Sequence, residues 1–380
     1  MRILLVISSL AADRAEATEV KSTIQALLEC GHEVGALYVQ NGPAYADQHP
    51  RLTHLPVTYA ERKSSPAIAN RIGEFQPDVT HIVACWTPFH ARVSTVLRRL
   101  KRPYVLEPCG HLIRVHLDHR FAEKPSTPLH SLGRRIYQTF YDIPMLKHAA
   151  QVRSLSAFEA HDLHTRFGVD SQIISWGFNP EWLTAARLSG PEATRPVRFL
   201  FVGRVDIFQK GLDLILQAAI LLNKQGLTSH FTVTFAGPEE NHAFERIGRI
   251  IRREGLTNVS LHPPVYGEGK DKLFAASDVF LHPSRFEGIA KLAREASGAG
   301  LAVLASDDSN YGDWVHDNRI GISAGLTAEE QAAAMKQWID HPPLASEMGK
   351  RGFEYAKAWP WLRVAAELES CYKSATTRAS

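Results

Sequence analysis

Short apolar runs alternate with helical segments through the second half of the sequence, and this alternation restricts the possible folds more than any other feature. The run VRFLFVG (197–203) precedes GLDLILQAAILLN (211–223), and FTVTFAG (231–237) precedes HAFERIGRIIRREG (242–255). The alternation continues with VSLHP, KDKLFAAS, VFLHPS, AKLAREASGAG and LAVLAS. Continuous apolar strands joined by helical crossovers are typical of a parallel sheet with helices on both faces. We therefore expect an α/β domain here.

The first half of the sequence shows the same pattern in a less regular form. RILLVIS predicts a buried strand, TEVKSTIQALLECG a helix that ends at Gly31, and HEVGALYV a second strand. DVTHIVAC (78–85) and PYVLEP (103–108) predict further strands, with the helical segment FHARVSTVLRRL (89–100) between them. A second Rossmann-like domain with a parallel sheet is therefore predicted.

The division into domains follows from the length of the chain and from one change in composition. A chain of 380 residues is too long for a single hydrophobic core, so two domains are expected. Residues 184–196, TAARLSGPEATRP, have the composition of a linker. We predict an N-terminal domain at 1–184, a linker at 185–196 and a C-terminal domain at 197–358. The segment 359–380 predicts a helix that packs back onto the N-terminal domain.

The overall composition excludes several classes of protein. An apolar content of 44%, a charged content of 22% and a net charge of +3 are ordinary for a globular protein and do not indicate a nucleic-acid binder. No apolar run reaches ~18 residues, and the short one after Arg2 fits a strand better than a signal peptide. The four cysteines have no metal-ligand spacing and favour a reducing, cytoplasmic location.

Positive charge is concentrated in one segment of the first half. Residues 92–153 contain twelve Lys or Arg and four Asp or Glu. One interpretation is a solvated face of helices. The other is a surface that meets anionic lipid head groups or a phosphorylated acceptor. The apolar residues expected to join such a surface are Leu97, Leu100, Ile113, Leu117 and Phe121.

A glycine and two cations follow the first strand of the C-terminal domain. Gly203 ends the apolar run, Arg204 follows it, and Lys210 precedes the next helix. Ligands bind at the carboxyl ends of strands in open parallel sheets. The two cations and the amides of the helix start would suit a diphosphate. The alternative is that both are exposed loop charges.

Two glutamates lie eight positions apart in HPSRFEGIAKLAREASGAG. Glu287 follows a predicted strand, and Glu295 lies in the first turns of the next helix. Carboxylates accept hydrogen bonds from paired hydroxyls, as in sugars and ribose. The alternative is an exposed helix glutamate that pairs with Lys291 or Arg294. Taken with the cations, the glutamates predict a site for a nucleotide diphosphate-sugar.

These motifs, in this order, resemble those of the retaining glycosyltransferases of family 4, which have the GT-B architecture. The family pattern reads GR, then KG-hydrophobic-D, then a strand ending in AG, then PS-x-x-EG with seven residues between two glutamates. This sequence has Gly203-Arg204, Lys210-Gly211-Leu212-Asp213, Ala236-Gly237, Pro283-Ser284, Glu287-Gly288 and Glu295. The resemblance covers about residues 197–310 and implies an α/β GT-B fold, with two Rossmann-like domains whose parallel sheets face each other across a cleft.

The resemblance also implies roles for individual residues. Arg204 and Lys210 would stabilise the departing diphosphate, Glu287 would contact the transferred sugar, and Glu295 would bind the ribose hydroxyls. Backbone at the glycine turn and the helix start would complete the donor site, at Gly203, Gly288, Ile289, Ala290 and Lys291. No metal or other cofactor is implied, because protein cations and a helix N-terminus neutralise the leaving group.

The first half departs further from the family pattern. The family often has a His-Gly near the end of the fourth or fifth strand, whereas this sequence has Gly110 followed by His111. His111 is a candidate catalytic residue and Gly110 a candidate binding residue, and the alternative is an ordinary loop histidine. The first loop, residues 8–19, has no glycine where the family usually has two.

The expected reaction is transfer of a hexosyl unit, with retention, from a UDP- or GDP-sugar to a hydroxyl of a glycan. The expected acceptor is lipid-linked, as in lipopolysaccharide or other cell-surface polysaccharide assembly, and the protein is expected to bind the inner membrane face peripherally. The alternatives are a GT-B nucleotide-sugar epimerase and a non-catalytic nucleotide-sugar-binding protein. A nicotinamide oxidoreductase is disfavoured, because no G-x-G-x-x-G follows the first strand.

Overall fold

The computed structural model of the protein describes residues 1–9, 15–40, 49–113, 128–184, 195–288, 290–307 and 309–377. The chain divides into two compact units. The second unit is Phe178–Trp359, and the described residues before Phe178 and from Pro360 onward form the first unit. Each unit is built around one sheet.

The sheet of the first unit has seven strands, all parallel, in the order β3-β2-β1-β4-β5-β6-β7. They are β1 (Arg2–Ile7), β2 (Glu33–Val39), β3 (Leu52–Val57), β4 (Val79–Val83), β5 (Tyr104–Glu107), β6 (Gln151–Ser154) and β7 (Gln172–Ile173). β1 lies between β2 and β4, and its side chains from Ile3 to Ile7 are buried. A central parallel strand is covered on both faces, which explains why this run is apolar without alternation.

The sheet of the second unit has six parallel strands in the order β10-β9-β8-β11-β12-β13. They are β8 (Val197–Val202), β9 (Phe231–Ala236), β10 (Val259–His262), β11 (Val279–His282), β12 (Ala302–Ser306) and β13 (Gly321–Ala324). The order reverses between β8 and β11. In open sheets of this kind, ligands bind outside the carboxyl ends of the strands at such a reversal.

Helices connect the strands of both sheets. Those of the first unit are α1 (Ala15–Glu29), α2 (Ser65–Phe75), α3 (Pro88–Arg99), α4 (Pro128–Tyr137), α5 (Ile143–Lys147) and α6 (Ala157–Phe167). Those of the second unit are α7 (Pro180–Thr184), α8 (Leu212–Lys224), α9 (Ala243–Glu254), α10 (Glu268–Ala275), α11 (Lys291–Gly298), α12 (Gly312–Asp317), α13 (Ala328–Asp340) and α14 (Pro343–Ala358). Within the described ranges, no helix is long and apolar enough to cross a membrane.

The last helix, α15 (Trp361–Thr377), packs on the first unit, against α1 and the strands β4, β5 and β6. Its residues Val364, Leu368 and Tyr372 are buried at helical spacing. The Tyr372 hydroxyl is hydrogen-bonded to Nδ1 of His81 at 2.7 Å. The end of the chain therefore forms part of the core that begins with β1.

A buried charged cluster lies behind this helix, at the ends of β5 and β6. Glu107 and Arg153 form an ion pair with side chains 2% and 1% exposed. The indole of Trp176 donates to Glu107 at 3.0 Å, and Nε2 of His81 lies 3.3 Å from its Oε2. Burial alone would raise the pKa of Glu107, but Arg153, His81 and Trp176 together lower it to about 2. The carboxylate therefore stays ionised inside the first unit.

The predicted fold class, α/β with parallel sheets in two domains, is confirmed by these two sheets. β3, β7 and β13 were not predicted. β3 contains Pro56, which has no N–H to donate and is tolerated because β3 lies at the sheet edge. β7 has two residues, too few for a periodic pattern.

The apolar residues predicted for a surface in 92–153 require correction. Leu97 and Ile113 are at most 1% exposed and belong to the interior, because they lie on the inner face of α3 and beyond the end of β5. Leu100 is exposed. Leu117 and Phe121 lie outside the described residues.

Glu107→Gln is expected to lower the free energy of unfolding by about 3–5 kcal/mol, because the buried Arg153 guanidinium loses its charged partner. Urea unfolding at pH 7 measures this. Glu74→Gln is the matched control, since Glu74 pairs with Arg71 on the surface, and should cost about 0–1 kcal/mol. Equal costs for the two variants would contradict the assignment of Glu107 as a buried ionised partner.

The contribution of Glu107 to the free energy of unfolding depends on pH and falls in acid. Because the folded-state pKa of Glu107 lies below its ordinary value of 4.5, its contribution is complete above that value and is lost as the pH falls towards about 2. The stability difference between the wild type and Glu107→Gln should shrink across this window. An unchanged difference would show that the carboxylate is not the group responsible.

Candidate functional site

The loops after β8 and β11 carry the residues predicted from the sequence, and the two strands are hydrogen-bonded neighbours. β8 ends just before Gly203, and β11 ends at His282. Lys210, on the first loop, forms an ion pair with Glu287, on the second. Their side chains are only 15% and 17% exposed. The fold thus brings together one predicted cation and one predicted carboxylate at the carboxyl edge of the sheet.

Arg285 joins the same two loops through its side chain and its backbone. Its Nη1 and Nη2 donate to Oδ1 and Oδ2 of Asp213 at 2.7 and 2.6 Å, which we call the Arg285–Asp213 clasp. Nη1 also donates to the carbonyl of Phe208 at 2.8 Å, and the Arg285 N–H donates to the carbonyl of Gln209 at 3.0 Å. A guanidinium can hold a carboxylate in this two-pronged geometry, whereas an ammonium cannot. The clasp therefore fixes the backbone on either side of Lys210 relative to Glu287.

Two glycines allow the loops to approach each other closely. Gly211 has a φ of +64°, and a Cβ there would lie 2.0 Å from the carbonyl oxygen of Pro283. Gly237, after β9, has a φ of +141°, and its Cβ would lie 1.9 Å from the carbonyl oxygen of Gly203. Any side chain at either position would force the loops apart.

Arg204 is held at the rim of its own loop. Its guanidinium lies 3.2 Å from Oδ2 of Asp206, pairs with Glu240 and bonds to the side-chain oxygen of Gln209. The side chain is 42% exposed. The cation is oriented by these acceptors and remains open to solvent, so an anionic ligand can reach it.

Glu295 lies inside the unit and has a cationic partner. Its side chain is 5% exposed and pairs through Oε1 with the ammonium of Lys270 on α10. The predicted alternative, an exposed helix glutamate, is therefore wrong for this position. Lys270 was not predicted, because it has no fixed spacing to the glycine or glutamate motifs.

The start of α11 supplies backbone groups beside Glu287. Ala290 precedes the first residue, Lys291, and its methyl group cannot cap the helix amides. The carbonyl of Gly288 accepts a hydrogen bond of 2.6 Å from the side chain of Asn310. Ile289 lies outside the described residues. A helix N-terminus of this kind favours an anionic ligand.

A buried histidine, His282, lies close to the Lys210–Glu287 pair. His282 is 5% exposed at the end of β11, and the Tyr311 ring packs edge-on against it at 6.2 Å. Burial, with a smaller contribution from the Lys210 charge, lowers the pKa of His282 to about 3. The imidazole is thus neutral at physiological pH and adds no charge to the site. Its position was visible in the HPS motif, but nothing in the sequence indicated its protonation state.

His111 and Gly110 belong to the first unit, whereas Lys210 and Glu287 belong to the second. Nδ1 of His111 lies 3.0 Å from the carbonyl oxygen of Pro108. The Gly110 N–H donates to the buried carboxyl of Glu159 at 2.6 Å. Burial raises the pKa of Glu159 to about 7. These contacts hold the loop after β5 in place. A catalytic role for His111 remains a prediction.

Across the residues that the structure describes, no group of three or more His, Cys, Asp or Glu side chains is placed to hold a metal ion. The second unit brings together the cations Arg204, Lys210 and Lys270, the carboxylates Glu287 and Glu295, and the start of α11. Cations and amides of this kind bind phosphates, and carboxylates of this kind bind hydroxyls. The arrangement is suited to a phosphorylated sugar ligand.

Comparisons with known proteins find similarity to glycosyltransferases in both halves of the chain. Residues 186–355 match the family described as glycosyl transferases group 1, and residues 16–174 match the glycosyl transferase 4-like domain. The D-inositol 3-phosphate glycosyltransferase of Arthrobacter sp. (strain FB24) is 27% identical over 210 residues, which are 55% of this chain and 49% of that protein. The chain spans about half the length of the curated relatives it matches.

Solved structures extend the likeness to nearly the whole chain. Sucrose-phosphate synthase from Thermosynechococcus elongatus has a TM-score of 0.75 and 19% identity, with 98% of both chains covered. Alr3699/HepE from Anabaena, in complex with UDP and glucose, has a TM-score of 0.70 and 15% identity, with 98% of this chain and 100% of that chain covered. At these identities the likeness concerns the fold.

The fold and the two loops at the carboxyl edge define a protein of the GT-B class. Residues 16–174 and 186–355 each match a glycosyltransferase family, so both halves of the chain carry glycosyltransferase domains of the family 4 type.

Arg285→Lys and Asp213→Asn are expected to lose the same interaction. A double-mutant cycle in urea unfolding should give a coupling energy of about 1–3 kcal/mol, since contacting residues are not additive. The matched control is the exposed pair Lys336 and Asp340 on α13, whose coupling should be about 0.5 kcal/mol or less. Additive effects at Arg285 and Asp213 would mean that the clasp does not hold the two loops.

Proposed function

We propose that the protein transfers a hexosyl unit from a nucleotide diphosphate-sugar to a hydroxyl of a glycan acceptor. The single observation that carries this proposal is the Lys210–Glu287 pair at the carboxyl edge of the second sheet. A cation for the diphosphate and a carboxylate for the sugar lie next to each other there, as a donor of this kind requires. The UDP complex of the structural neighbour Alr3699/HepE supports the choice of donor class.

Each residue of the site has a distinct role in the proposal. Lys210 and Arg204 neutralise the charge that builds on the diphosphate as the sugar leaves, with the amides at the start of α11. Glu287 bonds to hydroxyls of the transferred sugar. Glu295 accepts hydrogen bonds from the ribose, since Lys270 bonds only one of its two oxygens in the structure.

The departing diphosphate also supplies the base of the reaction in this proposal. The acceptor hydroxyl attacks the anomeric carbon on the face from which the diphosphate leaves, and the diphosphate oxygen takes its proton. The bond from the sugar to the diphosphate breaks as the new glycosidic bond forms, and the configuration is retained. This route needs no protein nucleophile and no metal ion.

The acceptor in this proposal is a lipid-linked glycan at the inner face of the membrane. The basic excess in residues 92–153 supports it. A panel of UDP-, GDP- and ADP-sugars in a thermal-shift assay tests the donor class, because a ligand that binds the folded state raises the melting temperature. A shift with one base and none with the others is expected. No shift with any nucleotide-sugar would overturn the proposal.

Glu295→Ala is expected to weaken binding of the nucleotide by about 1–3 kcal/mol, the cost of removing a charged acceptor from buried hydroxyls. Titration calorimetry with the nucleoside diphosphate measures this directly. Glu347→Ala, on the exposed face of α14, is the control and should bind like the wild type. Unchanged affinity in the folded Glu295→Ala variant would remove Glu295 from the ribose site.

Lys210→Ala and Arg204→Ala are expected to reduce kcat by about a hundredfold or more, with a smaller change in KM, since charge on the diphosphate is greatest in the transition state. Steady-state kinetics in the presence of EDTA measure both constants. Lys224→Ala, at the exposed end of α8, should leave both unchanged. A raised KM with kcat intact, or loss of wild-type activity in EDTA, would contradict the assigned roles.

Acceptor dependence separates this proposal from the two alternatives. A transferase forms a glycoside only when an acceptor is present. An epimerase converts the nucleotide-sugar without one, and a binding protein leaves it unchanged.

A further inference from the structure

An exposed apolar stripe runs along the helical segment 128–147, which comprises α4, the π-helical turn Gln138–Asp142 and α5. Leu132, Ile136 and Phe140 follow one another at intervals of four residues and so share one face. They are 54%, 49% and 70% exposed, and Tyr141 beside them is 50% exposed. Nine large apolar side chains are exposed within the described part of the chain, and four of them lie between residues 132 and 141. Such a concentration marks an interaction surface.

The segment that carries this stripe and the end of α3 are rich in basic residues. Residues 98–102 and 128–148 together contain seven Lys or Arg and one acidic residue. The acidic residue, Asp142, is buried and accepts a hydrogen bond from the Trp86 N–H at 3.2 Å. The seven basic residues are Arg98, Arg99, Lys101, Arg102, Arg134, Arg135 and Lys147. The solvent-facing charge of these two segments is therefore entirely positive.

Part of this charge lines a concavity at the far end of the segment. Arg98, Lys101, Arg102 and His148 surround a surface depression of about 540 Å³, where the chain leaves α3 and α5. Leu100, which lies between these basic residues, is 46% exposed. His148 lies eight residues after Phe140, about 12 Å along a helix axis. Basic groups and one exposed apolar side chain thus lie where the helical segment ends.

The other end of the stripe lies near the carboxyl edge of the first sheet. The Arg134 guanidinium is 4.5 Å from the centroid of the Trp86 ring. Trp86 is the third residue after β4, which ends at Val83. The surface therefore extends from the edge at which ligands bind in such sheets to the opposite edge, where β5 begins at Tyr104.

We propose that this surface docks on an anionic lipid bilayer, with Leu132, Ile136 and Phe140 inserted below the head groups and the basic residues among them. An apolar stripe flanked by cations has the composition of helices that lie in the membrane interface. A second copy of the chain is a poorer partner, because a symmetric contact would place seven cations against seven. The consequence of this docking rests on the proposed function, in which the acceptor is lipid-linked. Such an acceptor would reach the carboxyl edge near Trp86 from the bilayer.

Vesicle flotation of the full chain tests the surface. The wild type should float with vesicles that contain phosphatidylglycerol, bind phosphatidylcholine vesicles weakly, and dissociate as salt is added. The triple variant Leu132→Ser, Ile136→Ser and Phe140→Ser should lose binding by about tenfold or more. The control is Ile173→Ser with Tyr266→Ser, which removes two exposed apolar side chains elsewhere, 51% and 76% exposed, and should float like the wild type. Failure of the wild type to float at low salt would overturn the inference, as would equal flotation of the triple variant.

Two further measurements keep the outcome unambiguous. Phe140→Trp should show a blue-shifted emission on anionic vesicles, and an unshifted spectrum would mean that this position does not insert. Sedimentation of the wild type and the triple variant tests the second-copy alternative: a dimer that the triple variant abolishes would overturn the membrane assignment. The nucleotide-sugar thermal shift should be the same in both proteins. Loss of flotation with that shift intact separates failure of this surface from failure of the donor site.

Discussion

The two hydrogen bonds between Arg285 and Asp213 hold together the part of the molecule on which the rest of the site depends. They join the loop that carries Lys210 to the loop that carries Glu287, and the close approach at Gly211 leaves no room for either loop to slide. A flexible contact could not keep a partly buried ammonium and carboxylate at a fixed separation. The fork of a guanidinium can, because both of its bonds must break before the loops move apart.

The parallel sheet explains why these loops are neighbours at all. β8 and β11 are far apart in the sequence but are parallel neighbours in the sheet, so the loops that follow them lie at the same edge. The start of α11 and Glu295 lie in the connection that follows β11. Lys270, the partner of Glu295, lies on α10 in the connection that precedes β11. Cations, carboxylates and the start of a helix are thus brought to one edge by the topology of the sheet, and the proposed donor chemistry uses each of them.

The sequence predicted the fold class because apolar runs and helical periods are local signals. It also named Lys210 and Glu287 as candidate donor-site residues, because each follows a strand and ligands bind where strands end. The structure pairs these two side chains, and their roles stay predictions. It did not predict Lys270, Arg285 or the neutral state of His282, because these depend on which residues the fold brings near and on burial. The prediction of exposed apolar residues was wrong at Leu97 and Ile113 for the same reason. The sequence did not show that these two side chains face the core, or that Phe140 is exposed.

A structure of the protein with a bound nucleoside diphosphate would show whether the loops after β8 and β11 form the donor site. We expect phosphate oxygens within hydrogen-bond distance of Lys210 and Arg204. We also expect Lys210 to turn from Glu287 towards the phosphate while the Arg285–Asp213 clasp stays closed. A nucleotide bound away from the carboxyl ends of β8 and β11, or a diphosphate that leaves Lys210 bonded to Glu287 alone, would contradict these expectations.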